Sequence, residues 1–214
     1  MRPTTRIVAA GVVGLCTIAL TGCLSAMIPD TVATSAVSPT PDETGDGSWA
    51  GTDLTFDAGA LLASGTYIEW ADGMIASDDY AVDSPDDGNG GWSYTHLATQ
   101  CIASFWQGTI TDFDLTGGDE YLSDQVLAQD FGEQAADITP YAGDVQLALL
   151  SGADVDMRVV TGADDTTSYV VVARGFAALG VALYFSLDCP TGQDAETVFG
   201  EVSDDVSVSV TPPS

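Results

Sequence analysis

The chain has 214 residues, 45% of them hydrophobic and 17% charged, with 32 Asp and Glu against four Arg and no Lys, for a formal net charge of −28. Such a length and apolar content suit one globular domain with appendages and exclude disorder throughout. The charge excludes a nucleic-acid partner held through its phosphates, because that mode of binding needs clustered Lys and Arg.

Residues 1–22 carry Arg2 and Arg6, no acid, and an apolar run over 7–20 that ends in Leu20-Thr21-Gly22-Cys23. A positive start, a short apolar stretch and small residues before a cleavage point make a secretory signal. The run is shorter than the roughly 20 residues a helix needs to cross a bilayer. Leu20-Thr21-Gly22-Cys23 resembles the lipobox of bacterial membrane lipoproteins. The resemblance implies that the Cys23 thiol carries diacylglycerol, that cleavage makes Cys23 the first residue, and that the protein sits lipid-anchored on the outer face of a bacterial cytoplasmic membrane. It is similar in this to small lipoproteins of high-GC Gram-positive bacteria. Two acyl chains, at about 0.8 kcal/mol per buried methylene, anchor stably, so the fold needs no membrane surface of its own.

Cleavage would remove Arg2 and Arg6 and leave Arg158 and Arg174 as the cations of the mature chain. Its surface then repels anionic lipids and attracts cations and basic partners. Residues 24–53, rich in Ser, Thr, Pro, Gly and Asp, read as a tether behind the anchor; as a random coil it reaches roughly 30 Å. The expected organisation is a signal over 1–22, anchor and tether over 23–53, and one globular domain over 54–214.

Within that domain, alternation predicts a strand over 66–70, a loop over 83–91, and one or two strands over 92–105. Asp119 is the expected N-cap of a helix ending near Gly132, with Leu122/Val126 and Leu127/Phe131 on one face. Three strands follow over 145–150, 155–161 and 168–174. A nearly continuous apolar one over 181–188 belongs at the centre of the sheet. Thr191 and Asp194 look like an N-terminal capping pair for a second helix, with Ala195, Val198, Phe199 and Val202 on its inner face. Val206, Val208 and Val210 suggest a terminal strand. The expected fold is α+β, an antiparallel sheet of about six to seven strands packed with two main helices. This order of elements is similar to that of PsbP-like domains; the resemblance implies that fold and no activity.

Cys16 leaves with the signal and Cys23 takes the lipid, so Cys101 and Cys189 remain, and outside the cytoplasm they are expected to form a disulfide. His96, the one His in the chain, sits in an alternating aromatic strand and reads as structural. There is no G-x-S-x-G, H-E-x-x-H, Lys-bearing phosphate loop or dinucleotide fingerprint, which disfavours the common cofactor enzymes. Asp42-x-Thr44-x-Asp46-Gly47 with Asp53, Asp112-x-Asp114-x-Thr116-Gly117 with Ser123, and the Asp83, Asp86, Asp87, Asn89 loop imitate calcium sites but read better as solvated turns. Arg158 and Arg174 would face each other if the hairpin between them pairs about residue 166. There they would be neutralised by acids such as Asp156, or would contact an anion.

The expected function is a non-enzymatic binding or interaction module of the cell envelope, with an unknown envelope protein or small ligand as partner and no cofactor. An acidic cation-binding or structural surface protein, with calcium as the candidate ion, is one alternative. A carboxylate-based glycan hydrolase, which needs two acids about 5 to 10 Å apart, is the other.

Overall fold

The computed structural model describes residues 52–86 and 88–214. The expected signal, Cys23, residues 24–51 of the expected tether, Asp42, Thr44, Asp46 and Gly47 of the calcium-like stretch, and Asp87 lie outside the described residues. Among the described residues Leu54 is the first buried side chain, bridging to Val155.

Nine strands build one mostly antiparallel, curled sheet: β1 (Tyr67–Asp72), β2 (Tyr80–Ser84), β3 (Gly91–His96), β4 (Ile102–Thr109), β5 (Gly143–Leu149), β6 (Asp154–Ala163), β7 (Thr167–Phe176), β8 (Val181–Pro190) and β9 (Val206–Thr211). Their order is β1-β9-β5-β6-β7-β8-β4-β3-β2, with β5 and β9 parallel. The helices are α1 (Phe56–Gly59), α2 (Gly118–Phe131), α3 (Ala135–Ile138) and α4 (Ala195–Val202). The domain is α+β, as expected, but its nine strands exceed the expected six to seven. The extra pairing comes from β2, an edge strand with four exposed residues that lacks an apolar face to betray it. The 92–105 run also divides cleanly into β3 and β4, turned through Gln100 at φ 62°.

The sheet separates two apolar clusters, following the alternation of side chains along its strands. Val170, Val172, Phe176, Leu183, Phe185 and Leu187 face an inner cluster that takes in Trp70, Phe105 and the apolar face of α4. Val171, Ala173, Ala182 and Val160 face the other way, against Leu122, Val126 and Leu127 of α2. Both sides of β7 and β8 are thus covered, which is why they read as continuous apolar runs. The Cys101–Cys189 disulfide joins the residue just before β4 to β8 across a sequence separation of 88 residues, with both cysteines fully buried.

Two helix starts differ from expectation. Gly117 is the cap of α2, and Asp119 lies within its first turn, buried, because its carboxylate is drawn to Arg174 and to the Ala177 N–H. Asp194 alone caps α4, accepting from Glu196 N and Thr197 Oγ1, while the Thr191 hydroxyl donates to the Thr166 carbonyl. Gly132 ends α2 in the left-handed conformation, as expected.

Candidate functional site

β4 and β8 pair so that Trp106 stands opposite Tyr184. Register partners share a face, and this pair belongs to the face covered by α2. The last turns of α2 supply Val126, Gln129 and Asp130, spaced i, i+3, i+4 so that they point the same way. With Ile110 these residues line a cleft of about 380 Å³ between helix and sheet. Its floor is aromatic, its walls are aliphatic, and a carboxylate and an amide stand at the helix side.

Trp106 owes its position to Gly108, two residues on along the same face. A Cβ there would lie 2.7 Å from Cζ2 of the indole, so the ring leans along the strand across the space a side chain would occupy. Tyr184 is held as a neutral phenol. Burial raises its pKa most, and the charge of Asp130 raises it further. Beneath, the Trp70 indole on the inner face donates to the carbonyls of Trp106 at 3.0 Å and Tyr184 at 3.2 Å. Among the described residues that line the cleft the carboxylate is Asp130, so a carboxylate pair of the glycosidase kind is not formed within the lining.

Arg158 and Arg174 do not stand across from each other. Arg158 pairs with Ala173, because the turn between β6 and β7 closes on Asp164, whose Oδ1 accepts from Thr166 N and Thr167 N and centres the hairpin half a residue earlier than expected. By alternation Arg174 then belongs to the inner face. It is 0% exposed, donating to Asp119 Oδ2 and the Thr55 carbonyl, both at 2.9 Å, and to the Asp156 carbonyl. Its guanidinium carbon lies 4.4 Å from the Phe56 ring centroid, and its Nε is buried without a partner. Burial lowers the Arg174 pKa and raises that of Asp119, each disfavouring the charged form. Arg158 donates to Asp124 at 2.7 Å, to Asp144 at 2.5 Å and to the Ala142 carbonyl. Burial works against its charge, but the two carboxylates outweigh it and raise its pKa. Asp119 pairs with Arg174, and Asp124, Asp144 and Glu120 pair with Arg158, Glu120 at 3.7 Å; the charge of Asp156 also favours the charged form of Arg174, and its backbone carbonyl accepts from Nη1.

His96 accepts or donates at Nδ1 with the Thr99 hydroxyl and packs beside Tyr80. Asp114 Oδ1 receives Thr116 N and Oγ1, Asp86 receives Gly88 N, and Asp83 receives the Ser93 hydroxyl. No group of three or more His, Cys, Asp or Glu that could hold a metal ion occurs among the described residues, nor among them a helix long and apolar enough to cross a membrane.

No family model and no curated protein matches the chain. A solved structure from Bacteroides thetaiotaomicron is similar at 14% identity and a TM-score of 0.35, over 64% of this chain and 42% of that one. The chain thus spans less than half of that protein, and a likeness of this degree assigns no function.

Sequence reasoning passed over Trp106, Gln129, Asp130 and Tyr184. Two local signals mark them: the Trp106-x-Gly108 spacing inside a strand, and an acid in the last turn of a helix that carries no basic residue there.

Proposed function

We propose that the protein is an envelope lipoprotein, anchored through diacylglycerol on Cys23 to the outer face of a bacterial cytoplasmic membrane, whose folded domain is a non-enzymatic binding module with its ligand site in the cleft at Trp106, Tyr184 and Asp130. The observation that carries the binding reading is the cleft itself. It is concave and apolar-walled, with a few convergent polar groups, which is the usual form of a ligand site. The buried Cys101–Cys189 disulfide supports an extracytoplasmic setting. The lipobox-like Leu20-Thr21-Gly22-Cys23 supports the anchor.

Two measurements test this. Native protein should lack residues 1–22, carry the mass of diacylglycerol and partition with membranes, and Cys23→Ser should release it; an unmodified, soluble native form overturns the anchor. The Cys23→Ser chain should sediment with purified envelopes of its host, and Trp106→Ala should leave it in the supernatant. Equal sedimentation of the two overturns the cleft as the binding site.

A further inference from the structure

The chemistry of the cleft narrows what it can take. Asp130 is exposed and sits in the last turn of α2, where the negative end of the helix dipole disfavours a carboxylate. A fold gains nothing locally from an acid there. The chain also has little with which to neutralise it. Arg158 and Arg174 are the only Lys or Arg among the described residues, and both are buried in ion pairs with Asp124, Asp144 and Asp119. Beside Asp130 lie two aromatic side chains, whose π faces attract cations, and the apolar walls of Ile110 and Val126. The protein as a whole, at −28, draws cations toward any such opening and repels anions.

Resting on the reading of the cleft as the ligand site, we propose that it takes a small organic cation, an ammonium head at Asp130 carried on an apolar body that lies against Trp106 and Ile110. The ammonium supplies the positive charge that the dipole and the carboxylate together demand. The apolar body covers the indole, which Gly108 lets lean along the strand. A bare metal ion does not fit as well, since one carboxylate is short of the six or more oxygens that a hard cation collects.

Phenethylamine, 2-phenylethanol and 3-phenylpropanoate share one aromatic body and differ in charge, and their titration into the Cys23→Ser chain by calorimetry tests the proposal. Phenethylamine should bind at least tenfold more tightly than the other two. Asp130→Asn, a near-isosteric change at an exposed position, should erase that preference and leave amine and alcohol alike. Gly108→Ala should weaken phenethylamine severalfold by displacing the indole while Asp130 stays in place. Absence of phenethylamine binding, equal affinity for amine and alcohol, or a preference that survives Asp130→Asn overturns the inference. Envelope sedimentation separates this from failure of the site: if Trp106→Ala abolishes sedimentation while the amine does not bind, the cleft stands and its ligand is not a cation.

Discussion

The Trp70 indole reaches from β1, at one edge of the sheet, to the carbonyl of Trp106 on β4, with Nε1 and O 3.0 Å apart. β1 is six places from β4 in the strand order, and this contact is part of how the curl is drawn in. The Trp70 N–H also donates to Gln107 Oε1 at 2.7 Å, so the same residue is held twice. Edge strand and cleft floor are thereby one mechanical unit.

Trp70→Phe keeps an aromatic ring beside Phe105 and Phe185 but removes the indole donor. With carbonyls left short of a partner in a buried place, stability should fall by about 1–3 kcal/mol. Urea unfolding measures this, and a loss below about 0.5 kcal/mol would show that the indole contact does not hold the edge.

The two arginines make a graded prediction. Asp119→Ala strands a fully buried Arg174 guanidinium and should cost about 3–5 kcal/mol. Asp144, whose side chain is 65% exposed, also pairs with Arg158, but solvent screens it and Asp124 remains; Asp144→Ala should cost no more than about 1 kcal/mol. Chemical denaturation of both variants checks the order. Gly59→Ala should behave like Asp119→Ala, because its Cβ would fall 1.8 Å from Asp119 Oδ2.

The disulfide closes a separation of 88 residues. In the chain-entropy model its removal frees the unfolded state by about 4.6 kcal/mol. The Cys101→Ser, Cys189→Ser double variant should show that order of loss in urea, and dithiothreitol should reproduce it on the native chain once unfolding exposes the buried sulfurs.

Asp164 gives the pH dependence. Hydrogen bonds from Thr166 and Thr167 lower its pKa to about 2. A depressed carboxylate contributes stability that is fully present above its unfolded value of about 3.9 and is lost as pH falls through the folded one. The stability difference between the native chain and Asp164→Ala should therefore be constant at neutral pH and shrink between about pH 4 and pH 2. Thermal melts of both proteins across that range measure it; a difference that stays constant down to pH 2 would remove the turn's share in the β6–β7 hairpin.

Much of this protein is written in local patterns. β8 was legible as a central strand because its run is apolar on both faces, α2 was legible to its end because Gly132 is the natural left-handed stop, and Cys101 and Cys189 were left to each other once Cys16 and Cys23 were assigned to the expected signal and lipid anchor. These features depend on residues near in sequence, or on simple elimination. What only the tertiary structure decided is non-local. β2 exists because β3 offers it an edge, not because its own residues demand a strand. Asp119 gave up the cap because a guanidinium 55 residues away draws its carboxylate inward. Arg158 and Arg174 part company because Asp164 sets the register by side-chain bonds in the turn, and a one-residue slip sends a side chain to the other face. The cleft unites Trp106, Asp130 and Tyr184 from three elements, and only the folding of β4, β8 and α2 onto one another brings their chemistry to one place.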